Sequence, residues 1–354
     1  MGHFLVAKRN GVDAEEFGIF FPPRIWSRRT KKGWVFSLNL LPLGGFVRLK
    51  GEHDSDTGKG TYGSATLWVK VKILLAGVGM NLVAAFFLLT VLAWVGMPKL
   101  INNQFTVKSD TKIVENEVLV GSVQAHSPAA RINLQPGDRL VSIAKLGSPQ
   151  KPTSFADKLP AITKALAGDR VVVRYEKDKK LYSAVTTLLS DKVVQASVNS
   201  NNPKGYLGIS PSQYSLSRST WSAPIVGAGL LWQFTELTFH GIGSALAGLF
   251  SGNTAKASAQ VTGPVGIFEI LKNGTLLGYQ FVLMIVAVIS LSLAVMNVLP
   301  IPALDGGKLF VTLIARLLHK KLSEKAEAII YGTGFAILIA LLILITIVDV
   351  HRNF

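Results

Sequence analysis

The sequence predicts a multi-pass α-helical membrane protein with a membrane-associated β-loop and a folded extracytoplasmic domain inserted between two spans. Three observations predict it. Of 354 residues, 49% are hydrophobic and only 16% charged, and the mean hydropathy is +0.38, more apolar than soluble domains run. Three apolar runs are each long enough to cross roughly 30 Å of hydrocarbon. Between the first two lies a long stretch whose apolar residues alternate as they do in strands.

The opening Met1-Gly-His-Phe-Leu-Val-Ala-Lys-Arg has neither the apolar core nor the small-residue cleavage site of a secretory signal. It reads as the tail of a helix whose beginning is missing. Residues 35–41 and 45–49 read as short strands separated by Leu41-Pro42-Leu43-Gly44-Gly45, a Pro-Gly break. Residues 1–70 are therefore expected to hold the remnant of a first transmembrane helix and the β-loop. An open strand edge cannot face lipid, so that loop must be buried in protein or line a cavity. Residues 71–96 form the first complete span, 279–305 the second and 328–348 the third. Residues 221–275 are Gly-rich and amphipathic, and Glu236 and His240 argue for an interfacial or bundle-packed helix over a lipid-facing one.

Orientation follows from the short basic segments. Arg24, Arg28, Arg29, Lys31, Lys32 and Lys70 precede the first complete span and Lys72 stands at its start, while Lys308, Arg316, Lys320, Lys321 and Lys325 lie between the last two. Both groups are expected in the cytoplasm. The stretch between the first two spans then lies outside. The net charge of +16 raises nucleic acid as a partner, but no aromatic-interleaved basic stripe or zinc-finger spacing supports it, and basic flanks are ordinary in membrane proteins. The chain has no cysteine, which excludes disulfides and thiolate metal sites and leaves His and carboxylates as metal ligands.

The outer stretch opens with an apolar strand at residues 118–123, followed by Ser127-Pro-Ala-Ala130 and Gln135-Pro-Gly-Asp-Arg-Leu-Val-Ser-Ile143. Residues 170–175 and 182–188 alternate as strands on either side of a Lys-rich turn. This order resembles a bacterial PDZ domain over residues 118–211. That resemblance implies a ligand that adds as a strand to a sheet edge, a peptide C-terminus or an extended segment. Without it, the stretch reads as a small α+β domain with no ligand.

Two constellations carry chemistry. A zinc hydrolase uses three protein ligands and an open water position, most simply through His-Glu-x-x-His on one helix. Here Gly2-His3-Phe4 stands at the start, and Asn297-Val-Leu-Pro300-Ile-Pro302-Ala-Leu-Asp305-Gly306-Gly307 ends the second span. Taken singly, His3 is an ordinary residue near a terminus, Asp305 a turn residue, and Asn297 a polar cap on an interrupted helix. A carboxylate after two helix-breaking prolines at the end of an apolar run is nevertheless costly, and such residues are usually functional.

Together the motifs resemble those of the site-2 protease family of intramembrane zinc metalloproteases. Gly2-His3-Phe4 matches the second half of the family's His-Glu-x-Gly-His-Phe, and the Asn297–Asp305 segment matches its Asn-x-x-Pro-x-Pro-x-Leu-Asp-Gly. Ala76-Gly77-Val78-Gly79-Met80-Asn81 is similar to its Ala-Gly-Pro-x-x-Asn, with Val78 in place of Pro, and Gly263-Pro264-Val265-Gly266-Ile267 to its Gly-Pro-x-Gly-Ile. The resemblance runs from Gly2 to about residue 348 and implies a Zn2+ cofactor. It makes His3 and Asp305 ligands and Asn297 an active-site polar residue that helps hold the reacting carbonyl. Leu41, Pro42, Gly44, Gly45 and Phe46 would belong to a loop that presents substrate as an extended strand. It further implies transmembrane protein substrates such as membrane-bound anti-sigma factors, contact with membrane lipid, and a place in the bacterial inner membrane. The family's first His and its general base Glu would precede Met1, so the chain is expected to be a shortened form of such an enzyme, inactive as it stands. The alternative is a catalytically inactive membrane scaffold that binds peptides. A transporter is disfavoured by the few spans and the lack of an inverted repeat.

Overall fold

A computed structural model of the chain describes residues 1–53, 55–150, 152–153, 155–200, 203–252, 263–319 and 322–353. Its elements in chain order are α1 (Gly2–Arg9), β1 (Ala14–Arg29), β2 (Val35–Leu49), α2 (Leu67–Val95), β3 (Met97–Pro98), β4 (Lys112–Val123), α3 (Pro128–Arg131), β5 (Arg139–Lys145), α4 (Leu159–Ala165), β6 (Arg170–Lys177), β7 (Lys180–Thr187), α5 (Asp191–Ser197), β8 (Ile209–Arg218), α6 (Ala223–Phe250), α7 (Pro264–Gly274), α8 (Tyr279–Val298), α9 (Asp305–Leu317) and α10 (Glu324–Asn353). They fall into two compact units. The first comprises Met1–Leu89, Ala228–Leu271 and Ile285–Phe354, the second Thr90–Gly227 and Lys272–Met284.

Three helices are long and apolar enough to cross a membrane: Leu67–Val95, Tyr279–Val298 and Glu324–His351. They overlap the three runs read from the sequence: the first begins earlier and the last is longer at both ends. The second stops at Val298 instead of reaching 305, because the chain leaves the helix at the Pro300 and Pro302 segment. In α2 apolar residues occupy every side, so no solvent face is reserved, as befits a helix sheathed in lipid and protein. It stops at Gly96, whose φ of 144° a side chain would resist. Helix α6 runs 28 residues but carries Glu236 and His240 at its exposed middle, Glu236 Oε1 and His240 Nε2 lying 3.8 Å apart one turn from each other.

The β-loop differs from its expectation in two ways. No break occurs at Pro42, since β2 is extended from Val35 to Leu49, and a long partner strand β1 precedes it. The two strands pair antiparallel overall, but each is used in two halves. Residues 24–29 of β1 pair with 35–39 of β2, while 14–19 pair with 45–49 on one side and 35–38 on the other. In the last set the partners rise together, from Glu16 with Val35 to Ile19 with Leu38. The two strands thus build a ribbon of four paired segments, in the order 45–49, 14–19, 35–39 and 24–29, with 16–19 flanked on both sides. The strand 14–29 escaped the sequence reading because Glu15-Glu16 and Pro22-Pro23 interrupt its alternation. Glu16 lies inside the ribbon, 2% exposed, with Arg24 Nη2 at 2.7 Å and Arg48 Nη2 at 3.2 Å. Asn39 is buried beside it, its amide donating to the Ile19 and Phe20 carbonyls.

In the second unit six strands run in the order β3-β8-β4-β5-β6-β7. Their inner face and the short helices enclose Val118, Val120, Ala129, Leu134, Leu140, Ile143, Val171, Val173 and Leu207. Ser127 caps α3 by accepting from the Ala130 amide, and Pro128 stands in its first turn, the arrangement a Ser-Pro start favours. Asp138 closes the turn before β5 by accepting from the Gln135 amide at 2.8 Å.

Candidate metal centre

Two distant segments of the first unit converge on one point. Helix α1 carries His3, and α9 opens with Asp305; His3 Nε2 lies 3.1 Å from Asp305 Oδ2, with about a quarter of each side chain exposed. Asp305 sits in the first turn of α9, where the helix dipole favours a negative charge. The chain reaches it by a tight path. After α8 ends at Val298, Ile301 N donates to Leu299 O and Leu304 N to Ile301 O, and Ala303 takes a φ of 81°. These carbonyls press on the start of α9, so that a Cβ on Gly306 would overlap the Val298 and Leu299 carbonyls and one on Gly307 that of Ile301. The two glycines of Asp-Gly-Gly therefore let the loop fold back and hold the carboxylate in place.

The imidazole is fixed from the other side. Its Nδ1 lies 2.8 Å from the carbonyl oxygen of Ile73 in α2. A carbonyl only accepts, so Nδ1 carries a proton and the neutral ring offers its Nε2 lone pair. That lone pair faces a carboxylate oxygen, another acceptor. Two acceptors 3.1 Å apart repel unless a positive centre joins them, either a proton or a metal ion. The donor set, one imidazole nitrogen oriented by a carbonyl and one carboxylate, fits zinc in kind. It is short in number, because among the described residues no third His, Cys, Asp or Glu joins the pair.

The remaining residues singled out in the sequence lie as follows. Asn297 stands in the last turn of α8, half-buried, and its side chain makes no hydrogen bond among the described residues. Leu41 and Pro42 lie in β2, their side chains outside the described part. Gly44 is exposed with a φ of 129°. Gly45 is exposed and pairs with Ile19, and half-buried Phe46 pairs with Gly18 and lies over it, filling the space a side chain there would take. Among the described residues the strand 45–49 pairs with another strand on one side only, and the Leu49 amide at its end donates to Glu52 Oε1 at 2.7 Å. The ribbon reaches α1 through aromatic rings: Phe4, next to His3, meets Phe17 edge-on at 5.8 Å and Trp34 at 4.9 Å.

Sequence reasoning missed two features near this centre. The Ile73 carbonyl is backbone, which no residue pattern reveals. A polar cavity of about 70 Å³ is lined by Glu52, His53, Tyr62, Lys308, Thr312, Glu327 and Tyr331. In it His53 Nδ1 lies 3.1 Å from Glu327 Oε2, and Lys308 Nζ is 3.8 Å from Glu52 Oε2. Lys308 follows Asp305 by one helical turn, a relation that spacing alone could have suggested.

Comparison with known proteins bears on the same residues. The pattern of Peptidase family M50 matches residues 1–341. A protein of Clostridium perfringens described as "Putative zinc metalloprotease CPE1693" is 28% identical over 99% of this chain and 93% of its own length. One of Campylobacter jejuni with a like description, "Putative zinc metalloprotease Cj1068", is 28% identical over 99% of this chain and 89% of its own. The "Regulator of sigma-W protease RasP" of Bacillus subtilis is 24% identical over 100% of this chain and 95% of its own.

Proposed function

This chain belongs to peptidase family M50, and on that premise we propose that it is an intramembrane zinc metalloendopeptidase cutting transmembrane segments of partner proteins. Zinc is the metal on which the family depends. The observation that carries the proposal is the convergence of His3 and Asp305 at 3.1 Å, brought together from opposite ends of the chain in the chemistry a zinc ion needs. His3 and Asp305 would hold the metal, His3 through Nε2. When bound, zinc supplies a water activated near neutral pH and polarises the scissile carbonyl.

The other residues act on the substrate. A transmembrane helix hides its carbonyls in its own hydrogen bonds, so a cleavable segment has to be unwound and held extended. The open edge of strand 45–49, with Gly44, Gly45 and Phe46, offers it main-chain partners. Asn297, half-buried at the end of α8 with an amide that has no hydrogen-bond partner among the described residues, would hold the reacting carbonyl. The candidate PDZ domain, residues 118–211, would select partners by peptide capture at a sheet edge. Membrane-anchored regulators such as anti-sigma factors are the substrate class we assign, in keeping with the name of the Bacillus subtilis relative. The placement we propose is a multi-pass one in the bacterial inner membrane, with residues 118–211 outside and Asp305 at the cytoplasmic side.

A second reading, a membrane scaffold without hydrolytic activity, is favoured by one observation. Among the described residues no third ligand joins His3 and Asp305, and two ligands hold zinc weakly. The experiment takes the protein from its native membrane and determines its intact mass, N-terminal sequence and zinc content. It then measures cleavage of a membrane-anchored substrate by that protein and by its Asp305→Ala variant. Stoichiometric zinc and cleavage abolished by the variant support the protease. No zinc and no cleavage at native length would leave the scaffold.

A further inference from the structure

The His3 ring is kept in place by a gap in α2. Helix α1 crosses α2 at two consecutive small residues. Gly2 packs on Ala76 so closely that a Cβ there would overlap the Ala76 carbonyl. One residue on in both helices, the His3 ring lies on Gly77. A Cβ placed on Gly77 would overlap Nε2 and stand 2.6 Å from Cε1 and 3.1 Å from Cδ2. The atom it strikes hardest is thus the nitrogen facing Asp305. The ring cannot move aside freely, because Nδ1 is tied to the Ile73 carbonyl at 2.8 Å. In a regular helix that carbonyl also receives the amide of the residue four further on, which is Gly77. One turn of α2 therefore supplies both the anchor for Nδ1 and the flat floor under Nε2.

We propose that Gly77 is a positioning residue for the metal centre: its missing side chain is the seat of the His3 imidazole and sets the direction of Nε2 toward Asp305. The role in metal binding rests on the protease reading, whereas the packing of ring on glycine does not. Intrinsic propensity points the opposite way from the proposal, which makes the test sharp. Ala is the better helix former, so Gly77→Ala ought to stabilise α2 if the position were only helical. Gly79, two residues beyond in the same helix, has nothing within 4 Å of the place a Cβ would occupy and supplies the control.

Thermal unfolding of the purified chain in detergent is measured for Gly77→Ala, Gly79→Ala, His3→Ala and the double variant His3→Ala/Gly77→Ala. The expected result is a melting temperature several degrees lower for Gly77→Ala, the cost of overpacking, and none lost for Gly79→Ala. With the ring removed the gap is free, so Gly77→Ala is expected to be harmless in the His3→Ala background. Equal losses from Gly77→Ala with and without His3 would overturn the packing. On the protein at native length, zinc affinity by chelator competition and the visible spectrum of the cobalt-substituted form are compared. Gly77→Ala is expected to weaken zinc at least about tenfold, as changes around metal ligands do, and to shift the cobalt bands, while Gly79→Ala does neither. Unchanged affinity and spectrum in a folded Gly77→Ala protein would overturn the positioning role. Should Gly77→Ala fail to fold, restored folding in the double variant still supports the seat, and continued misfolding refutes it. Absence of zinc from every form, Gly79→Ala included, would count against the protease reading and leave the unfolding comparison to decide the packing.

Discussion

Removing both arginines that flank Glu16 should harm the β-ribbon more than removing Glu16 itself. The carboxylate is 2% exposed, whereas Arg24 and Arg48 are 48% and 56% exposed. Replacing Glu16 by Met fills the same space with an apolar side chain and leaves two exposed guanidinium groups satisfied, Arg24 by water and Arg48 by water and by Glu15 at 3.3 Å. That change loses charge-assisted hydrogen bonds whose net value, discounted for the exposure of both arginines, is about 1–2 kcal/mol. Replacing Arg24 and Arg48 by Met leaves a carboxylate inside the ribbon with no opposite charge, a cost of about 3–5 kcal/mol. The gap of about 2 kcal/mol corresponds to roughly 30-fold in local opening. Hydrogen–deuterium exchange of peptides covering residues 14–49, read by mass spectrometry, measures that opening directly. The expected order of exchange is wild type slowest, Glu16→Met intermediate and Arg24→Met/Arg48→Met fastest. Faster exchange in Glu16→Met than in the double variant would refute the reasoning.

The same carboxylate gives the ribbon a pH dependence. Burial pushes the Glu16 carboxyl up, but the Ser37 hydroxyl and the Arg24 and Arg48 guanidinium groups more than offset this and hold it below its ordinary value of 4.5. Its contribution is therefore complete above that value and is lost as pH falls below it, so exchange of residues 14–49 should accelerate on acidification in wild type and not in Glu16→Met. Asp305→Asn should reduce zinc retention at native length by at least about tenfold without altering the helical circular dichroism, since Asn keeps the shape of the side chain. Leu140→Ala, at a site 1% exposed, should cost the second unit about 2–5 kcal/mol, seen as faster exchange in β4–β6 with the β-ribbon unaffected. Asp349, 1% exposed on α10, accepts from the Gly263 and Gly266 amides at 2.8 and 2.9 Å. Asp349→Ala leaves both donors without that acceptor and should cost about 1–3 kcal/mol for each, read as a lower melting temperature and faster exchange in α7.

The legible parts of this protein were those fixed by length and by turn chemistry. An apolar run such as that of α2 can only be a buried or membrane helix, and the Ser127-Pro128 start of α3 carries its own cap. His3 was legible only through the motif around it, since a histidine near a terminus is ordinary, whereas Asp305 also stood out as a carboxylate after two prolines at the end of an apolar run. Strand 14–29 was hidden because Glu15-Glu16 and Pro22-Pro23 interrupt its apolar pattern, and because residues 16–19 are paired on both sides by different halves of one partner strand. Pairing on both sides buries Glu16 and Gly18 while Phe17 is half-buried and Ile19 exposed, so the covered positions are a carboxylate and a glycine, not the apolar residues on which strand reading depends. The Ile73 carbonyl and the gap at Gly77 were invisible for another reason. A backbone acceptor and an absent side chain acquire meaning only when a second helix is laid against them.

The doubled pairing of the ribbon also orders its assembly. Residues 24–39 can close on themselves through the turn at 30–34, a local contact that forms within microseconds. The segment 14–19 has no such near partner. It must be sandwiched between 35–38 and 45–49, so the earliest-made of these segments is the one whose place is completed last. Until residue 49 has been synthesised, one side of that strand stays uncovered, with Phe17 and Ile19 open to any other chain that offers an edge. For a protein made at a membrane, this interval is when chaperone binding or insertion of the following helix would have the most effect on yield.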